Sequence, residues 1–187
     1  MKCGVLYYDG FCEFEVVIAL QNLAHQAEIV GVAAEARPYL SEEKQVFLPS
    51  LLLSEAKSGD FDVFLIPGGE ARSLLGSADL KRLLLDMARE GKIIGAICGG
   101  VLPLGAFGLL KGKRFTGEAK GFEYSAEALE KDFKGATYTG EDVVIAGNIV
   151  TAMGQAFVEF GIEIADVVGF YPDERTKQRD ILWFKNQ

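Results

Sequence analysis

A cysteine at the end of an apolar run is the first place where this sequence could do chemistry. Between Lys92 and Ala106 the chain reads KIIGAICGGVLPLGA, so a hydrophobic strand runs into Cys98 and a helix of small and apolar residues follows it. A nucleophile on such a strand-to-helix turn needs small residues two positions before and two after, because the chain doubles back there. Ala96 and Gly100 meet that need. The turn aims backbone N–H groups and the positive end of the following helix at the side chain. Both favour the thiolate, which is the reactive form. Taken alone, a cysteine reads as a small buried hydrophobe. The Gly99-Gly100 pair, at the carboxyl end of a parallel strand where open α/β folds bind ligands, turns the reading towards a functional thiol. A second glycine turn, Pro67-Gly68-Gly69, also ends a strand. It could let the backbone approach a ligand and present N–H donors to an oxyanion, although Pro-Gly-Gly also makes an ordinary loop. Gly68, Gly69 and Gly99 are therefore the candidate oxyanion or substrate-binding residues. Cys3 and Cys12 lack this context, and Cys3 is expected to pack within the first strand.

The elements that must position these residues follow from hydrophobic periodicity. Continuous apolar runs ended by Gly, Pro or Asp read as buried parallel strands: Cys3–Tyr8, Glu28–Ala33, Val63–Ile66 and Ile93–Ile97. Between them, Glu13–Gln26 places Val16, Ala19, Leu20 and Leu23 on one helical face, and Asp79–Glu90 does the same with Leu80, Leu83, Leu84 and Met87. Alternating strand and helix is the signature of a doubly wound or flavodoxin-like α/β fold. Further on, Val143–Ala146 and Ile149–Ala152 flank Gly147-Asn148, a two-residue hairpin turn. A helix is expected from Gln155 to Val168 and another from Pro172 to Trp183, with Trp183 and Phe184 as packing residues. No repeat or linker interrupts the pattern, so residues 1–187 read as one domain.

Composition narrows the function classes. The chain has 187 residues, 49% hydrophobic and 25% charged, a globular profile. Nineteen basic residues against 27 acidic ones give a formal charge of -8, which argues against a surface that tracks nucleic-acid phosphates. The short basic run Lys111–Arg114 reads as a solvated turn. The apolar run Val5–Tyr8 is too short for a secretory segment, and nothing approaches the ~20 apolar residues of a membrane span. Three cysteines without close spacing indicate neither a disulfide framework nor a zinc site. No glycine fingerprint for a dinucleotide follows a strand. The expectation is a cytoplasmic protein without metal or cofactor, its partner a small-molecule substrate or an oxidant.

Several segments together resemble the ThiJ/PfpI (DJ-one) superfamily over nearly the whole chain. They are Tyr8–Phe11 with Glu13–Glu15, Asp62–Gly69, the elbow Gly95–Gly100, Gly105–Lys113, and Gly147–Ala152 leading into Glu159–Gly161. The resemblance implies a flavodoxin-like three-layer sandwich with a mostly parallel central sheet, like that of class I glutamine amidotransferases, and a homodimer. It also implies a reactive elbow cysteine hydrogen-bonded by an acidic residue after the first strand. Glu15 falls at that position, with Glu13 the fallback; both also suit a helix's first turn on electrostatic grounds alone. Many catalytic relatives add a histidine near the elbow. Here the single histidine is His25, ten residues past Glu15 and so ~15 Å along a continuous helix. It reads as a surface residue at the helix end. Glu118 lies where relatives place their histidine and reads as an ordinary loop carboxylate. The missing imidazole argues against a Cys-His protease or amidotransferase mechanism. Three readings remain. One is an enzyme acting on small reactive carbonyls, glyoxalase- or deglycase-like, with Cys98 attacking, Glu15 shuttling the proton and the amides of Gly69 and Gly99 facing the oxyanion. A second is a stress-response protein whose Cys98 oxidises to a sulfinate. The third is a binding module without turnover; an amide or isonitrile hydratase-like role has less support.

Overall fold

Strands β6 (Val63–Ile66) and β11 (Ile149–Ala152) are buried at every residue, as a sheet covered on both faces demands. In the computed structural model, which describes residues 1–117 and 131–186, they join β1 (Lys2–Leu6), β2 (Glu28–Ala33), β5 (Leu51–Leu52), β7 (Ile93–Ile97) and β10 (Val143–Ala146). Together they form one seven-stranded sheet of order β10-β11-β7-β6-β1-β2-β5. Every pairing in it is parallel except that of β10 with β11, the hairpin turned by Gly147-Asn148 with Ala146 opposite Ile149. Side-chain direction alternates along each strand. Phe64, Ile66, Ile94 and Ala96 pack into the core on one face; Val63, Leu65 and Ile97 pack into that on the other.

Helices cover both faces. Helix α1 (Phe14–Leu23) buries Val16, Ala19 and Leu23 against β1, and α2 (Ala78–Arg89) buries Leu80, Leu83, Leu84 and Met87 opposite Phe64. Ser77 starts α2 by accepting the Leu80 N–H at 3.2 Å. The chain after Cys98 makes a 3-10 turn, Cys98–Val101, and only then the five-residue α3 (Leu102–Ala106). Helices α4 (Phe157–Val167) and α5 (Glu174–Phe184) finish the described chain.

Expected strands and helices are found within a few residues of their bounds, with instructive differences. Helix α1 stops at Leu23, because Gln26 and Ala27 both turn back to the Leu23 carbonyl on the way into β2. β1 ends at Leu6, and Tyr7 and Tyr8 extend past it towards the carboxyl edge of the sheet. Five two-residue strands escaped the periodicity argument, since so short a stretch has no period to read: β3 (Tyr39–Leu40), β4 (Val46–Phe47), β5, β8 (Arg114–Phe115) and β9 (Thr137–Tyr138). Trp183 does not pack as expected; it is 71% exposed, while its neighbour Phe184 lies against the cluster formed by Ile18, Ile162, Ala165 and Tyr171. The buried ammonium of Lys177 pins α5 to α4 through Glu163 and Asp166, each at 2.8 Å. Among the described residues no helix is long and apolar enough to cross a membrane.

Candidate active site

The parallel strands β1, β6 and β7 end together, so the turns that follow them meet at one edge of the sheet. Cys98 begins the turn after β7 in a left-handed conformation, φ 54°. A non-glycine residue is rarely held there, and the strain is of order 1–3 kcal/mol unless packing enforces it. Packing does. A Cβ on Gly100 would lie 2.4 Å from the Ile66 carbonyl oxygen and 2.5 Å from that of Pro67, and one on Gly99 would lie 2.7 Å from the Gly69 oxygen. The elbow is thus pressed backbone to backbone on the turn after β6. Because only a 3-10 turn and a short helix follow Cys98, the dipole support expected for a thiolate is small.

Glu15, in the first turn of α1, is the group that meets the cysteine. It is 2% exposed, and its Oε2 accepts the Gly68 N–H at 2.6 Å. Glycines on either side make the room: a Cβ on Gly68 would sit 2.5 Å from Glu15 Oε2 and 3.0 Å from Cys98 Sγ, and one on Gly154 would sit 3.1 Å from Oε1 and 3.2 Å from Sγ. Burial pushes the Glu15 carboxyl up to about 7, while hydrogen bonds from the Gly68 amide and the Cys98 thiol pull it back down. Near neutral pH the Glu15 carboxyl is therefore close to its own titration point, with the Cys98 thiol as one of its hydrogen-bond donors. By contrast, burial pushes the Cys3 thiol up to about 12, and burial together with a hydrogen bond to Glu42 holds Cys12 well above its ordinary value.

The Gly68 assignment needs correction. Its N–H is donated to Glu15, so Gly68 positions the acid rather than facing an oxyanion. Glu13 is not the partner of Cys98: Gln45 Nε2 donates to its Oε1 at 2.8 Å, turning it towards the β3–β4 hairpin. His25 is exposed in the turn beyond the far end of α1. Glu118 lies outside the described residues. A cavity of about 630 Å3 opens over the thiol, lined in part by Cys98, Glu15, Cys12, Glu42, Gly69 and Glu70. Among the described residues, none from 171 onward lines it.

Sequence reasoning missed three contributors. Tyr8, buried just past β1, sets its hydroxyl against the carbonyls of Pro67 (2.8 Å) and Gly68 (2.7 Å), bracing the turn that holds Glu15. Gly154 follows β11 as Gly68 follows β6, and a small residue beyond each strand flanking β7 was the available signal. Cys12 donates its S–H to Glu42 Oε2 at 2.8 Å, a contact between distant segments that no local pattern announces.

Glu15→Gln is expected to remove a pH dependence of stability. The folded carboxyl titrates near 7 against 4.5 when unfolded, so between those values the native state holds more protons and stability falls as pH rises. The loss is complete above about pH 7 and is on the order of 3 kcal/mol. Gln keeps an acceptor for Gly68 and carries no charge. The melting temperature of the variant relative to wild type should therefore rise by roughly 6–12 °C between about pH 5 and pH 8. Parallel curves for the two proteins would mean that Glu15 is not held protonated by the fold.

The sequence profile of the DJ-1/PfpI family matches residues 1–167. A deglycase of Thermococcus kodakarensis is 27% identical over 156 residues, covering 81% of this chain and 89% of that protein. A glutathione-independent glyoxalase of Caenorhabditis elegans is 26% identical over 159 residues, 83% and 82% of the two chains. Against the longer DJ-1 homolog B of Arabidopsis thaliana, 28% identical over 176 residues, the match takes in 91% of this chain and only 38% of the relative. In structure, a DJ-1 superfamily protein of Agrobacterium tumefaciens superposes with a TM-score of 0.85 at 23% identity, over 100% of both chains.

Proposed function

The chain belongs to the DJ-1/PfpI family, and on that premise we propose that it is a cysteine-dependent enzyme of small reactive carbonyls, with 2-oxoaldehydes as the substrate class. The observation that carries the reading is the buried Glu15 carboxyl set against Cys98 in an open cavity. Relatives named for deglycase and glyoxalase activity support the same choice.

As the Cys98 sulfur adds to the aldehyde carbon, the Glu15 carboxylate takes the S–H proton and passes it to the new alkoxide, forming a hemithioacetal. The amides of Gly69 and Gly99 face the developing oxyanion. Glu15, ionised again, takes the C–H proton from the former aldehyde carbon and delivers it to the neighbouring keto carbon, while the hemithioacetal O–H proton moves to the former keto oxygen, leaving a 2-hydroxyacyl thioester. Water cleaves the thioester, which releases the 2-hydroxy acid and restores the thiol beside the Glu15 carboxylate; the net reaction adds one water. One acid handles each proton in turn, so the site works without the imidazole that His25, exposed beyond α1, does not supply. The test is formation of a 2-hydroxy acid from 2-oxopropanal at catalytic protein concentration. A rate no higher than the spontaneous one defeats the reading.

A second reading rests on the contrast between the three thiols. Cys3 is buried with its thiol pushed up to about 12. Cys12, though it lines the cavity, is buried, held high and bonded to Glu42, whereas Cys98 is half-buried on the cavity beside the Glu15 carboxyl. As an oxidant-responsive protein, it takes two oxygens from two equivalents of a hydroperoxide at Cys98, with Glu15 donating a hydrogen bond to the sulfinate. Mild peroxide should then add two oxygens to the Cys98 peptide alone, and less in Glu15→Gln. Oxidation spread evenly over Cys3, Cys12 and Cys98 would count against it.

A further inference from the structure

The wall of the Cys98 cavity has a charge pattern that the reaction itself does not require. Among the described residues the acids Glu42 and Glu70 line it together with Lys44. Glu15 and Glu43 line it too, but burial pushes both of those carboxyls up, Glu43 further by its hydrogen bond to Glu13, so they add less negative charge. The carboxylates of the β3–β4 hairpin are fixed in place. Glu42 accepts the Cys12 S–H at 2.8 Å, and its own N–H is donated to the Phe11 carbonyl at 2.9 Å. The hairpin is tied to the rest by Gly10 N–H on the Leu40 carbonyl (2.8 Å) and by Gln45 on Glu13 (2.8 Å), and Glu43 shares a hydrogen bond with Glu13. Glu70 follows the Gly68-Gly69 turn and lines the same cavity, its N–H donated to the Gly10 carbonyl at 3.4 Å. The neighbouring cavity, which shares Glu70, includes Arg37 and Arg72; Arg37 is taken up by Asp9 at 2.6 Å and Glu35 at 3.0 Å.

We propose that this cavity selects carbonyl substrates carrying a positive charge, an ammonium or guanidinium group, over carboxylate-bearing ones, with Glu42 as the main specificity-determining residue and Glu70 as its support. The inference deepens the carbonyl reading by naming the substrate class for the same thiol. A concave wall of one dominant sign focuses the field and raises the local concentration of counter-charged ligands by tenfold or more. A carboxylate already held by Cys12 need not be ordered when the substrate arrives. Amine adducts of 2-oxoaldehydes and aminoketones fit this wall, and 2-oxo acids are repelled by it.

The test is independent of turnover. Cys98 is labelled with 2-aminoethyl methanethiosulfonate, a cation, and with 2-sulfonatoethyl methanethiosulfonate, an anion, and the rates are read from the Cys98 peptide by mass spectrometry. Divided by the same ratio for a small free thiol, the cation-to-anion ratio should be about tenfold or more. It should shrink as salt rises from about 20 to 500 mM, because screening shortens the reach of the wall. Glu42→Gln, which keeps an acceptor for Cys12, should cut the ratio several-fold, and Glu42→Gln with Glu70→Gln should cut it further. A wild-type ratio at or below that of the free thiol overturns the proposal, as does a ratio that neither salt nor the variants move. If neither reagent reaches Cys98, this proposal and the carbonyl reading fall together. Charge-selective labelling without conversion of any carbonyl leaves the selectivity standing and removes the enzyme reading.

Discussion

Cys98→Ser should lower kcat/KM for 2-oxoaldehydes by at least about a thousandfold while leaving the fold intact. The substitution changes one atom on an elbow whose conformation is set by backbone contacts of Gly99 and Gly100, so the left-handed turn persists. The reacting group changes completely. A serine hydroxyl has no appreciable alkoxide near neutral pH, and Glu15 with a carboxyl near 7 is too weak a base to make one. Losing a nucleophile costs some three to six orders of magnitude in enzymes that depend on it, with the remainder supplied by binding and oxyanion contacts. Initial rates of 2-hydroxy-acid formation, with melting curves to show that both proteins are folded, check the result. Equal turnover by the two proteins means the carbonyl chemistry does not run through Cys98.

A large loss of stability is expected at Gly100. Its hypothetical Cβ lies 2.4 and 2.5 Å from two backbone oxygens, of Ile66 and Pro67, so no flexible side chain can swing away to relieve the contact. The turn after β6 and the elbow after β7 would have to separate by several tenths of an ångström inside a closely packed edge. Gly100→Ala is therefore expected to cost about 3 kcal/mol, the upper end of overpacking penalties. The melting temperature should drop by roughly 6–12 °C. Gly76→Ala is the matched control: nothing lies within 4 Å of its Cβ, and its stability should stay within about 0.5 kcal/mol of wild type. The same separation moves Cys98 away from Glu15, so the folded fraction of Gly100→Ala should also label more slowly with a neutral alkylating reagent. Wild-type melting would show that the elbow and the β6 turn are not in rigid contact.

Much of this architecture was legible before folding. Strands β6 and β7 agree with their expected bounds, and α2 buries the four residues its period selects, because hydrophobic spacing is imposed by neighbours along the chain. The elbow was visible for the same reason: small residues before and after Cys98 are a local demand of a reversing backbone. Glu15 rather than Glu13 was indicated only by resemblance, since both suit a helix's first turn. Their side chains diverge because Glu15 turns inward to Gly68 while Glu13 turns to Gln45.

What the sequence by itself determined is the class of fold, the strand-and-helix order and the elbow turn that carries Cys98. Each depends on residues close together in the chain. What only the tertiary structure decided is who surrounds that residue. Strand order set Gly68 after β6 and Gly154 after β11 on either side of the Cys98–Glu15 pair, and it directed the Gly68 amide to the acid instead of to a substrate. A hairpin of two-residue strands brought Glu42 over Cys12 and gave the cavity its negative wall. Adjacency of this kind depends on sheet register and the long-range packing of turns, and no local window of the chain records it.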